Sequence, residues 1–329
     1  MSLIYALIAL VFIVGLCIGS FLNVVILRSL SEESIVFPPS KCPKCQNRLK
    51  WWHNIPVLSY IFLGGKCGFC KEHISIQYPI VELLTGLIFV FEFLKFGISI
   101  DTLFVWIISA LLIVIAGTDI KEKVVFDVHT YSLIGVGIFY SLLIFAISLY
   151  LNISNDTFVL SKDMILQNPL TTSILGILTG ALTMEILARA GYIFAGTRAF
   201  GEGDTYIAAG IGAFLGWKST LIILLGSIII QMIFTLPIFI NKLIKSDDKI
   251  TLITLFGFSA YTILFFLLQK NGIFDAGMTL YIIGAVILAA IGLYLCYRIL
   301  KGLKKNQDDL IYLPFGPAMV ISALIFMLI

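Results

Sequence analysis

Two kinds of side chain in this sequence could do chemistry, and each occurs in a pattern. Asp119 and Asp204 stand at the edges of long apolar runs, in "AGTDIKEK" and "FGEGDTYIAAG". Cys42, Cys45, Cys67 and Cys70 form two C-x-x-C pairs, "CPKC" and "CGFC", with 21 residues between Cys45 and Cys67. Ionisable groups beside lipid are costly, and a functional reading is the default for them. Gly117 precedes Asp119, and Gly201 and Gly203 precede Asp204; small residues of this kind let helices approach closely in a membrane. Two facing carboxylates in a low-dielectric site cannot both ionise easily, so such a pair shares a proton. One then takes a proton from water while the other donates to a carbonyl oxygen, as in an aspartic protease. The same pair could carry protons in an ion-coupled transporter. Spacing alone leaves the two readings level.

The cysteines point to a metal. Two C-x-x-C pairs at this separation match the zinc-ribbon pattern. Four thiolates suit tetrahedral zinc, and a two-residue spacing lets one tight turn supply two ligands. Lys41, Lys44, Lys66 and Lys71 offset the negative charge. A site of four cysteines is closed, so the expected role is structural. Metal binding would also explain how so short a loop with so little core folds. Free thiols or redox pairs are the alternative. Cys17 and Cys296 lie alone in apolar segments and are expected as buried, inert thiols. Asp127 is expected as a boundary residue or helix N-cap. His53, His73 and His129 are scattered, with His53 and His73 read as polar surface residues. There is no H-E-x-x-H, no G-x-S-x-G and no P-loop, because "GEGD" lacks the Lys–Ser/Thr tail.

The elements that must position these groups are membrane helices. The chain of 329 residues is 60% hydrophobic and 12% charged, with mean hydropathy +1.05. Soluble domains carry about 25% charged residues. Stretches near the length of a transmembrane helix cover 3–27, 78–96, 102–118, 128–150, 171–195, 204–216, 219–240, 251–269, 277–299 and 310–329. The first is read as a retained helix rather than a signal peptide, since no basic residue precedes it. With the N-terminus outside, the outside loops keep only Lys95, Lys162, Lys218 and Lys270 of the 22 basic residues, as the positive-inside rule demands. The expectation is therefore an all-α polytopic membrane protein of about ten transmembrane helices. It divides into a first helix (1–28), a cytoplasmic zinc-ribbon-like loop carrying the four cysteines (29–77), and a transmembrane domain (78–329) with an extra helical hairpin at 251–299. No repeat or low-complexity tract is visible. The bilayer is the partner implied, and nothing points to nucleic acid.

Several blocks, in order, resemble a known family. "GSFLNVVILR" (19–28), "CPKCQNRLKWWHNIPVLSYIFLGGKCGFCKEHISIQYPIVELLTG" (42–86), "TDIKEKVVFD" (118–127), "GEGDTYIAAGIGAFLGW" (201–217) and "LPFGPAMVISA" (313–323) are similar to the signatures of the type IV prepilin peptidases. These are the prepilin leader peptidases, GxGD membrane aspartic proteases. The resemblance implies that Asp119 and Asp204 are the catalytic pair, with Gly201 and Gly203 forming the turn that lets Asp204 reach Asp119. It implies zinc on Cys42, Cys45, Cys67 and Cys70, and cleavage of a short basic leader from prepilin or pseudopilin precursors. The site would lie on the cytoplasmic side of a bacterial inner membrane. It also implies a second activity, methylation of the new N-terminus with S-adenosylmethionine, to which no residues are assigned. Phe126 stands where the family usually has proline, and Thr205 and Tyr206 follow Asp204 where lysine is common. The rival readings are a proton-coupled transporter using Asp119 and Asp204, and a zinc-dependent scaffold. A transporter would place its acids near the midplane and often shows repeats; here both acids sit at the ends of spans.

Overall fold

The computed structural model describes residues 2–37, 39–154, 168–195, 200–245, 249–270, 278–305 and 314–329. Every regular element among them is helical: α1 (Ser2–Leu30), a short 3-10 helix (Trp51–Asn54), α2 (Leu58–Phe62), α3 (Gln77–Phe96), α4 (Ile100–Glu122), α5 (Asp127–Ser154), α6 (Pro169–Ala195), α7 (Glu202–Lys245), α8 (Lys249–Lys270), α9 (Met278–Lys305) and α10 (Gly316–Leu328). Six of them are long and apolar enough to cross a membrane: α1, α4, α5, α6, α7 and α8. Shorter apolar helical segments cover Tyr281–Leu295 and Gly316–Leu328. Helix α3, which carries Glu82, Glu92 and Lys95, is not among the six.

The chain divides into two compact units, one of Met1–Ile186, Phe200–Ile230 and Pro314–Ile329, the other of Leu187–Ala199 and Gln231–Leu313. The first holds the two C-x-x-C pairs and both aspartates. Its helices meet over small residues, since an interface in lipid gains from close van der Waals packing rather than from hydrophobic exclusion. Gly15 and Gly19, four apart on α1, lie against α3: a Cβ on Gly15 would come within 2.7 Å of Gly86 Cα, and one on Gly19 within 2.7 Å of Glu82 Cα. Gly176 of α6 and Gly212 of α7 press backbone to backbone, each leaving no room for a Cβ against the other's carbonyl. Ser173 Oγ donates to Ala213 O at 2.7 Å across the same seam. Helix α4 begins where Ser99 Oγ accepts the Thr102 N–H at 3.2 Å and ends at Lys123, a left-handed residue (φ 57°) whose N–H returns to Asp119 O at 2.9 Å.

Helix α7 spans both of the runs expected at 204–216 and 219–240. They form two helices that meet at a kink at Gly216, whose φ of 77° and ψ of 171° are not helical. That backbone region is essentially confined to glycine.

In the second unit, α8 and α9 lie antiparallel. Arg298 Nε donates to Thr251 Oγ1 at 3.3 Å near one end. Tyr261 OH donates to Gly284 O at 3.3 Å, and the Phe265 and Tyr281 rings are 5.5 Å apart toward the other end.

Cys17 is exposed on the surface of α1 rather than buried, because the packed face of that helix is the one carrying Gly15 and Gly19. The side chain of Cys296, Arg198, most of the loop expected at 151–170 and the start of the last expected span lie outside the described residues.

Candidate active site and metal centre

Asp119 lies in the last turn of α4 and Asp204 in the first turn of α7, 4% and 5% exposed. The two are within Coulombic reach of each other. The N-terminus of α10 closes on the same point. A Cβ built on Gly316 would stand 2.3 Å from Asp119 Oδ2 and 3.2 Å from Ile207 Cδ1, one turn of α7 beyond Asp204. One helix C-terminus and two N-termini therefore meet around two carboxylates. The free N–H groups of a helix start favour negative charge. Pro317 in the first turn of α10 suits that start, since its missing N–H would have had no partner there.

Asp204 is held by its own turn. Gly201 N–H donates to Asp204 Oδ2 at 3.1 Å, the reach-back of a third-position acid to the N-cap amide. Gly203 sits inside the helix, and a Cβ there would come within 2.6 Å of Val125 Cβ. Neither glycine has positive φ; among the described glycines only Gly64, Gly65, Gly97 and Gly216 do. Gly203 is thus required for close approach of the α4–α5 connection, a constraint distinct from tight turning. Asp119 Oδ2 and Thr205 Oγ1 are buried without a hydrogen-bond partner among the described residues. Rings pack nearby in pairs: Phe200 with Phe315 at 4.8 Å and Tyr131 with Tyr206 at 5.5 Å.

Asp127 opens α5 as a helical residue, and Phe126 supplies the first carbonyl, accepting from His129 and Thr130 N–H. Asp127 is therefore a first-turn acid rather than the N-cap itself. His129 is buried on α5, with Nε2 3.0 Å from Ser29 Oγ of α1. Val125, Ile207 and Gly316 escape a search for reactive side chains. The one signal for Gly316 is the Gly–Pro step before an apolar run, which marks a helix start.

The four cysteines converge. Their sulfurs lie within 4.8 Å of one another, with Cys42 Sγ 3.9 Å from Cys70 Sγ. A tetrahedron with Zn–S near 2.3 Å has sulfurs roughly 3.8 Å apart, so the donor set fits zinc. The two knuckles are built alike. Cys42 N–H donates to Asn47 O at 3.0 Å and Cys67 N–H to Glu72 O at 2.8 Å. Gln46 and Lys71, each just after the second cysteine of its pair, have φ of 58° and 61°. An isolated antiparallel backbone β-bridge pairs Lys41 with Arg48, and another pairs Lys66 with His73. Backbone N–H groups of Cys70 and Phe69 lower the Cys67 thiol to about 7, while, against the Glu72 backbone N–H, burial and hydrogen bonds to its sulfur neighbours push the Cys70 thiol up to about 11, so one thiol ionises at the expense of the other. His53 is half-buried against the second knuckle, its ring 5.2 Å from that of Phe69; His73 is exposed.

Two family models match the chain. Residues 13–96 match the bacterial peptidase A24 N-terminal domain, and residues 106–236 match the type IV leader peptidase family. The chain is similar to a prepilin leader peptidase/N-methyltransferase of Myxococcus xanthus, 35% identical over 65% of this chain and 58% of that protein. It is similar to one of Neisseria gonorrhoeae, 31% identical over 67% of this chain and 78% of the relative. A third, of Klebsiella pneumoniae, is 31% identical over 63% and 85%. The chain thus spans less than two thirds of the Myxococcus protein. No solved structure matches. The α8–α9 hairpin lies beyond the matched residues.

Proposed function

The chain belongs to the type IV leader peptidase family, and we propose that it cleaves the leader from prepilin or pseudopilin precursors with Asp119 and Asp204 as the catalytic pair. The observation that carries this is the convergence of the two buried carboxylates at three helix ends. Asp204, anchored by Gly201 N–H, has one oxygen directed by its own turn. Asp119 lies against the Gly316 backbone N–H, and its Oδ2 makes no well-formed hydrogen bond among the described residues, so a water or a peptide carbonyl can engage it. One carboxylate, ionised, takes a proton from the attacking water. The other, protonated, donates to the carbonyl oxygen as the tetrahedral intermediate forms, and the pair exchanges roles as the amine leaves.

The cluster of four cysteines would hold one zinc ion, which cross-links the two knuckles and supplies folding energy to a loop with few buried side chains. S-adenosylmethionine would supply a methyl group to the new amine; the relatives' names carry that activity, and no residue of this chain is assigned to it. We read the fold as crossing the membrane about ten times, counting α3, the short apolar helices and the two halves of α7. The basic residues then put the aspartates and the cysteine loop on the cytoplasmic side of a bacterial inner membrane. A proton carrier is less well supported, because both acids stand in terminal turns of their helices. The test is cleavage of a full-length prepilin in vesicles by wild-type, Asp119→Asn and Asp204→Asn protein. Cleavage by both variants at the wild-type rate would remove the proposal.

A further inference from the structure

The cysteine loop carries an apolar face that the peptidase chemistry does not use. Helix α2 exposes Leu58, Ile61 and Phe62, the last 83% exposed. Their spacing of three and four residues puts them on one side of the helix. Trp51, 75% exposed, and Trp52 precede it, and Lys50 Nζ stands 4.9 Å from the Trp52 ring centre.

The depth of this face is fixed by one hydrogen bond. Val57, just before α2, donates its N–H to Glu82 Oε2 at 2.7 Å. Glu82 is buried in α3, and its Cα lies against Gly19 in the interior of α1. The apolar stretch of α1, Leu3–Leu30, has 28 residues. Only about 20 fit the hydrocarbon core. Gly19 lies inside that stretch, nine residues before Arg28 near its basic end. Val57 is therefore held beside the apolar stretch of α1, and α2 leaves from there. Val57 also has φ of 60° and ψ of −49°, a costly conformation for a β-branched residue. The fold sustains that strain where the Glu82 bond is made. Basic residues of the same loop, Lys41, Lys44, Lys50 and Lys66 among them, outnumber its acids Glu32, Glu33 and Glu72.

We infer that α2 and the Trp51–Trp52 pair are seated in the headgroup–acyl boundary of the leaflet on the cysteine-loop side, so that the loop is a membrane-inserted foot of the peptidase. An exposed apolar face in a loop with an excess of basic residues suits an interfacial helix. Tryptophan prefers the same layer, and anionic headgroups attract the lysines.

The test uses the full-length protein in vesicles of phosphatidylethanolamine and phosphatidylglycerol, with acyl chains brominated near the headgroup. Subtracting the fluorescence of a Trp51→Phe/Trp52→Phe variant isolates the loop pair without disturbing Trp106 or Trp217. Shallow bromines should quench that signal by at least about twofold, and iodide present on both sides should quench it little. Ile61→Glu/Phe62→Glu should reverse the two sensitivities while zinc content stays at the wild-type level, which shows the knuckles intact. A loop signal quenched by iodide and indifferent to bromine would overturn the inference. So would protection that appears only on adding full-length prepilin, which would assign the face to the substrate's helix.

Discussion

Replacing Gly316 by alanine adds one carbon at the most crowded point of the proposed site. That carbon would stand 2.3 Å from Asp119 Oδ2 and 3.2 Å from Ile207 Cδ1. Ordinary contact begins near 3.4 Å, so either the carboxylate or the start of α10 has to move by about 1 Å, a misplacement that can cost on the order of 10²-fold in rate. That is about 2.7 kcal/mol of transition-state stabilisation. The loss should appear in kcat rather than KM, because the added methyl group acts on the proton-sharing pair and not on the leader. The assay is steady-state cleavage of a full-length prepilin in vesicles, with Gly135→Ala as the control. Gly135 lies in α5 with nothing within 4 Å of its would-be Cβ, so alanine there should leave activity intact and stabilise the helix by up to about 1 kcal/mol. Gly316→Ala within about threefold of wild type would refute the claim that Asp119 must sit against the backbone of α10 to function.

Cys67→Ser should lower zinc from one ion per chain and open residues 41–73 to protease, read by metal analysis and limited proteolysis, because metal binding and folding of the loop are coupled. Cleavage should fall only in part, since the aspartates belong to α4 and α7. Asp127→Asn should cost less than about tenfold in cleavage, as an exposed first-turn acid contributes mainly through the helix dipole; a loss matching Asp204→Asn would give Asp127 the catalytic role instead. Gly176→Val should destabilise by several kcal/mol or prevent folding, visible as a lowered melting temperature in detergent, because the α6 and α7 backbones touch there.

The chemistry was more legible in the sequence than the packing that serves it. Carboxylates and thiols are rare in a chain this apolar, so Asp119, Asp204 and the C-x-x-C pairs stand out by type and spacing. Gly316 and Val125 offer no reactive atom. Their importance arises from helices distant in sequence meeting at one point, which no local pattern encodes. The break in α7 was legible: Trp217 and Lys218 interrupt its hydropathy, and the backbone leaves the helical region at Gly216. Cys17 misleads, since apolar neighbours in a membrane helix signal lipid as readily as core. Val57 could not have been singled out at all, because its strained backbone and its bond to Glu82 exist only in the folded chain.

The account stands on Asp119 and Asp204 acting as one proton-sharing unit, and the most direct measurement compares prepilin cleavage by wild-type, Asp119→Asn, Asp204→Asn and the double variant at equal amounts of folded protein. Asparagine keeps the shape of each side chain and removes the exchangeable charge. Either single variant should lose on the order of 10³-fold or more, and the double variant should lose no more than the singles, because groups that act together fail together. Either single variant cleaving within about tenfold of wild type, or losses that multiply in the double variant, would contradict a shared-proton mechanism at this pair.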